Sequence, residues 1–167
     1  TRQQHAIDEE FSNPELKFSW SNFVTFSVAT SLLELNAKWG WELPFGWIPM
    51  TSDEEIPHTE IYQAEPFEEI APEVIKLLKT SFNAHRIYEV EEGGKVEEKL
   101  LDDCVFGYDG LEHLYTNRQG EFMLYFSHED SVTVGGADLL RYIHKIWPAY
   151  NHFFWYDGDT YEMLMQM

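Results

Sequence analysis

A chain of 167 residues with 44% apolar and 16% aromatic content is long enough for one real core, short for two domains, and too apolar to remain disordered. Thirty Asp and Glu stand against eleven Lys and Arg, a formal charge of −19, which argues against nucleic acid and anionic membrane surfaces, both recognised by cations meeting phosphates. There is no uncharged apolar run of about eighteen residues, as a membrane span requires, and no basic-then-apolar leader, so the sequence predicts a soluble, cytoplasmic protein. Cys104 is the one cysteine; it excludes an internal disulfide and a cysteine-based zinc site and fits a reducing compartment.

Residues 1–15 are polar and contain the acidic run Asp8-Glu9-Glu10, which predicts a flexible N-terminal tail ahead of a single domain over 16–167. From Ser21 the spacing of Val24, Val28, Leu32, Leu35 and Trp39 follows one helical face, with Ser21 or Asn22 as cap and Gly40 as terminator. Residues 23–28 are also compatible with a strand, because Phe, Val and Thr favour extended backbone. Two prolines and two glycines then exclude a regular element from 39–49, where Trp39, Trp41, Phe45 and Trp47 crowd together. This aromatic loop either lids one end of the core or offers rigid apolar anchors to a partner.

Residues 58–64 predict a short strand. Residues 72–82 predict a helix, with Pro72 in its first turn and Val74, Ile75, Leu77, Leu78 and Phe82 along one side. Residues 86–100 read as two β-rich runs around Gly93-Gly94, a hairpin signal. Glu89, Glu91, Glu92, Glu97 and Glu98 cluster on that hairpin, and cross-strand like charges are destabilising, so it is expected to project into solvent or meet a cationic surface. Residues 102–106 are expected to continue a strand. Residues 111–115 and 122–126 form a second hairpin around the turn at 117–120. In 122–126 both alternating faces are apolar, which places that strand centrally in its sheet. Val132 to Val134 predict another strand. Gly135 and Gly136 then permit a turn into a helix whose stripe is Leu139, Leu140, Ile143, Ile146 and Trp147, stopped by Pro148. Residues 151–156 are a further aromatic run, with Asp157-Gly158 as a tight turn and 160–165 as its returning strand. The predicted fold is one α+β domain, mainly an antiparallel sheet of about five to seven strands built of hairpins, with two or three helices packed on one face.

No motif supplies a strong chemical signature. His128-Glu129-Asp130 is the best local cluster, yet no His-x-x-x-His or His-Glu-x-x-His pattern occurs, so no metal is expected. Asp157, Asp159 and Glu162 resemble a calcium loop in composition alone, with glycine misplaced and the distant glutamate missing. Gly135-Gly136 lacks the lysine of a phosphate loop, and Asp138 puts negative charge where phosphate would sit, so no cofactor is expected. Cys104 follows Asp102 and Asp103, whose charge opposes thiolate formation.

The function expected from these features is a non-enzymatic acidic binding protein, of inhibitor or immunity type, masking a basic protein partner. Its candidate contact residues are Trp39, Trp41, Phe45, Trp47, Glu89, Glu91, Glu92, Glu97 and Glu98. The alternatives are a small hydrolase using His128, Glu129 and Asp130 or His144 with His152 as an acid–base pair, and a structural or assembly subunit.

Overall fold

The computed structural model describes residues 56–93 and 95–156. The expected tail, the helix after Ser21, the aromatic loop and the closing hairpin beyond Asp157 lie outside the described residues. Within them the chain runs β1 (Thr59–Gln63), α1 (Ala64–Glu69), α2 (Ala71–Ser81), β2 (Arg86–Glu91), β3 (Val96–Leu100), β4 (His113–Thr116), β5 (Met123–Ser127), β6 (Ser131–Gly135) and α3 (Ala137–Ile146), with 3-10 turns at Leu101–Asp103 and Tyr150–His152. The six strands form one sheet in the order β1-β6-β5-β4-β2-β3, every pair antiparallel. This is the α+β arrangement of hairpins that the patterning predicts.

Side chains alternate between the two faces of a strand, and directly paired residues share a face. The register therefore puts Tyr62, Val132, Val134, Leu124, Phe126, Tyr115 and Ile87 on one face. The helices pack there. Phe67 of α1 lies against Tyr62 and edge-on to Phe126, Trp147 beyond α3 touches Tyr62 and Phe67, and Phe82 beyond α2 meets Phe122 and Tyr142. The opposite face carries Val90, Leu114, Met123, Tyr125 and Thr133, which are also buried. All five residues of β5 are buried, as its two-sided apolar pattern requires.

The expected strand over 102–106 is replaced by a 3-10 turn and a loop. Edge strand β3 ends at Leu100, the Leu101 amide bonds the His85 carbonyl, and Leu101, Cys104 and Phe106 all enter the core. Their spacing of three and two residues cannot be met by a strand, whose inward positions recur every second residue. The loop 104–112 then crosses the helix-side face and leads into β4, with Phe106 packed on Tyr115 and Phe126. In the aromatic run 151–156, Phe154 makes a single antiparallel bridge to Tyr62.

Of the two glycines before α3, only Gly136 is a turn residue, since Gly135 is paired within β6. Gly136 has φ of 118°, and a Cβ there would stand 2.7 Å from the Glu121 carbonyl oxygen. Both the left-handed backbone and the close approach demand glycine.

Candidate functional site

Two neighbouring clusters occupy the β2–β3–β4 half of the sheet. The first grows from the period-two pattern of the hairpin, which sends Ile87, Glu89 and Glu91 of β2 to the helix-side face and pairs Glu89 with Tyr115 on one side and Glu97 on the other. Lys95, Glu97 and Lys99 alternate toward the same face. Glu89 is buried, and Lys99 forms an ion pair with its Oε2. The Tyr115 hydroxyl lies 2.8 Å from Glu89 Oε1 and 2.8 Å from the Val105 carbonyl oxygen, so its single proton serves one acceptor at a time. Lys95 Nζ sits 3.3 Å from Glu91 Oε1 and 3.1 Å from Glu97 Oε1, and Arg86 reaches Glu98 at 3.3 Å.

Like-charge opposition across the hairpin is thus relieved by cations of the hairpin itself. Of the five glutamates expected to face a partner, Glu92, Glu97 and Glu98 are exposed, Glu91 is half-buried and Glu89 points inward. Glu92 is the one that no lysine or arginine meets among the described residues.

Beside this cluster, His113 is buried, with Nε2 2.9 Å from Asp109 Oδ1 and Nδ1 3.4 Å from Glu89 Oε1. Its hydrogen bond holds the Asp109 carboxyl below the usual range. Burial, helped by the Glu89 charge, pushes the Cys104 thiol up to about 11, and burial and Glu89 likewise raise the Tyr115 phenol. A thiol held protonated is a poor nucleophile, as the flanking aspartates suggest.

The second cluster lies where β2 ends, β4 begins and β5 turns into β6. The Glu112 carboxylate accepts hydrogen bonds from the Tyr125 hydroxyl, from Ser127 Oγ at 3.2 Å and from His128, whose Nδ1 lies 2.5 Å away. His128 Nε2 lies 3.1 Å from Glu129. Glu92 Oε2 approaches the Glu112 amide at 3.4 Å. The Glu68 carboxylate rests against Gly107, and burial together with Glu65 and Asp130 raises its pKa. Among the described residues no lysine or arginine pairs with Glu65, Glu68, Glu92, Asp109, Glu112, Glu129 or Asp130. From this acidic ground the loop 104–112 exposes Val105 to 60% and Tyr108 and Leu111 to 43% each.

Of the two histidines considered as an acid–base pair, His144 joins a polar cluster near the start of the sheet. His144 Nε2 lies 2.7 Å from Glu60 Oε2 and its ring stacks on Tyr150 at 3.7 Å, with the Tyr62 hydroxyl 3.3 Å away. His152 is exposed in the 3-10 turn and takes no part in that cluster. A groove of about 370 Å³ between α2 and α3 is lined by Glu73, Lys76, Thr80, Tyr142, Lys145 and Ile146, and none of these histidines reaches it.

Sequence reading missed His113, Tyr115, Asp109, Glu112, Tyr108 and Leu111. The alternation of Lys95, Glu97 and Lys99 opposite Glu89 and Glu91 was available as a signal for the hairpin's internal pairing. The meeting of residues 104–112 with Glu68 and His128 depends on the path of an irregular loop and leaves no periodic trace. Trp39, Trp41, Phe45 and Trp47 lie outside the described residues. Compared with protein-family models, curated proteins and solved structures, the chain has no significant match. No described helix is long and apolar enough to cross a membrane.

Proposed function

We propose that this protein is a non-enzymatic acidic binding protein, of inhibitor or immunity type, that masks a basic protein partner. The observation that supports this reading best is the loop 104–112, where Val105, Tyr108 and Leu111 stand exposed among carboxylates that no lysine or arginine neutralises. Charge of one sign speeds encounter, and buried aromatic and aliphatic anchors slow departure. The exposed Glu92, Glu97 and Glu98 extend the same field along the sheet edge. Trp39, Trp41, Phe45 and Trp47 are retained as further anchors on the strength of their composition. A cytoplasmic location and indifference to nucleic acid belong to the same proposal; the buried free thiol of Cys104 is consistent with a reducing compartment.

The test is affinity capture from source lysate at low and high salt, followed by titration calorimetry with whatever basic protein is retained. Changing Tyr108 and Leu111 together to serine removes the anchors without touching the core. That variant is expected to lose at least about tenfold in affinity, the cost of truncating two interface anchors. Recovery of no basic protein at either salt rejects the proposal, as does undiminished binding by the double variant.

A further inference from the structure

The two edges of the sheet are finished differently. At β1 the outer edge is closed by the chain itself: the Gln63 amide donates to the Phe153 carbonyl oxygen and the Trp155 amide to that of Ile61, both at 2.9 Å. At the other end, β3 has no strand beyond it among the described residues. The ladder with β2 fixes which of its backbone groups are left over. The Glu91 amide bonds the Lys95 carbonyl and the Leu101 amide bonds the His85 carbonyl. With the pairing of Glu98 to Tyr88, residues 95, 97, 99 and 101 therefore face β2, and Val96, Glu98 and Leu100 turn both amide and carbonyl outward. The Glu98 carbonyl meets Arg86 Nη2 at 3.3 Å and the Leu100 carbonyl meets the Cys104 thiol at 3.4 Å, which leaves each oxygen a second lone pair. The three amides have no protein partner among the described residues. An edge of this kind is a template for another strand.

We infer that this edge is taken by a second copy of the chain, with β3 pairing antiparallel to β3 about a two-fold axis at Glu98 and the two sheets joined into one. In that register the outward amides and carbonyls of Val96, Glu98 and Leu100 face one another as a hydrogen-bonded ladder. The side chains are self-complementary as well. Val96 lies opposite Leu100 of the second copy, so that Leu100, 46% exposed in the single chain, gains an apolar neighbour. On the helix-side face Glu97 lies opposite Lys99 of the second copy. The two Glu98 side chains meet at the axis, each already paired with its own Arg86 at 3.3 Å. Sliding the pairing by two residues one way opposes Glu97 to Glu97, and the other way Lys99 to Lys99, and like charges opposed across strands are destabilising. A second copy suits the edge better than a basic strand does, because the carboxylates here already hold the hairpin's own cations. Residues 86–100 carry five acids and three bases, close to neutral beside the −19 of the whole chain. Lysines deter pairing on many edges, but Lys95 and Lys99 are held by Glu91, Glu97 and Glu89 on the helix-side face. One short strand is a small contact, so the dimer is weak, and repulsion between two acidic bodies makes it tighten as salt is added.

The experiment is sedimentation equilibrium of the full-length chain from about 10 µM to about 1 mM, at low salt and at about 0.5 M NaCl, combined with amide hydrogen exchange over the same concentrations. A monomer–dimer equilibrium is expected, shifted toward dimer by NaCl, with protection of the Val96, Glu98 and Leu100 amides that grows as the dimer forms. Glu98→Pro removes the central outward amide and is tolerated on an edge strand whose N–H faces solvent. Val96→Lys puts an ammonium group opposite Leu100 and leaves the backbone untouched, so it serves even where the proline weakens the fold. Each is expected to raise the dimer dissociation constant at least about tenfold. A chain that stays monomeric at about 1 mM in both salts overturns the inference. So does a dimer indifferent to both substitutions, whose contact must lie elsewhere. Protection of these amides that does not change with concentration also overturns it, because the edge would then be covered within one chain.

Discussion

His128 shows how position in the fold, more than residue type, sets the chemistry of a side chain. In sequence it sits beside Glu129 and Asp130 and reads as a polar turn or a candidate acid–base group. In the fold its main partner is Glu112, sixteen positions earlier, at 2.5 Å. The hydrogen bond to Glu112, with smaller contributions from Glu129 and Glu92, raises the His128 pKa. Burial opposes ionisation of Glu112, but hydrogen bonds from Tyr125, His128 and Ser127 outweigh it and leave its carboxyl below the usual range. The two shifts have opposite linkage. A raised histidine stabilises the fold fully below its unfolded value of about 6.5 and loses that contribution as pH rises through the folded value. A depressed carboxyl stabilises above about 4.3 and loses its contribution as pH falls through the folded value. Both contributions are complete between about pH 4.3 and 6.5. The difference in urea midpoint between the wild type and His128→Asn is therefore expected to be widest near pH 5.5 and to narrow above neutrality. A difference that stays flat from pH 5 to 9 contradicts the pairing. His128 is 60% exposed, so solvent screening keeps the effect small.

At the scale of elements, the hairpin β2–β3 was readable as a hairpin, and of its five grouped glutamates only Glu89 is buried. Two β-rich runs around Gly93-Gly94 placed it correctly in the chain, but Glu89 was grouped with the outward acids because burial cannot be inferred from charge alone. Glu89 is inside because Tyr115 and Lys99 meet its two oxygens while loop 104–112 covers it. Strand β5 was easier: the five apolar residues 122–126, bounded by turn residues, fit a short strand covered on both faces. The expected strand over 102–106 failed because Leu101, Cys104 and Phe106 answer to the core at irregular spacing. Removing one partner of a buried pair leaves an uncompensated charge, which costs more than the pair contributes. Lys99 is partly exposed, which reduces the penalty, so Lys99→Met is expected to lose about 1–3 kcal/mol of unfolding free energy. Combining it with Glu89→Leu should recover much of that loss, since two contacting residues are not additive. Equal or additive losses in urea denaturation would show that Glu89 does not depend on Lys99.

On the scale of the molecule, strand order is the information that local pattern could not carry. Consecutive hairpins β2–β3 and β4–β5–β6 follow from turns at 92–93, 117–120 and 128–130, but the addition of β4 to the far side of β2 and of β1 to β6 joins segments remote in sequence. Those long-range pairings create both clusters, by bringing Tyr115 and His113 beside Glu89 and by setting Glu92 against Glu112. Net charge, by contrast, was readable from composition and has a consequence for the whole fold. A charge of −19 on 19.7 kDa means that compact chains repel themselves, and unfolding relieves that repulsion by moving like charges apart. Added NaCl screens the repulsion; it also screens the exposed pairs Arg86–Glu98 and Arg141–Asp138, but surface pairs of that kind contribute only about 0–1 kcal/mol each. At 0.1 M ionic strength the screening length is already about 10 Å, so repulsion spread over the molecule is attenuated before pairs in contact are. The first effect should prevail, and the urea midpoint is expected to rise between low salt and about 0.5 M NaCl, where the screening length approaches contact distance. Sodium chloride is the appropriate salt, because sulfate would strengthen apolar burial and raise the midpoint for an unrelated reason. A midpoint that falls with NaCl would mean that attractive pairs outweigh the excess of anions. It would also weaken the case that this surface presents an uncompensated field to a basic partner.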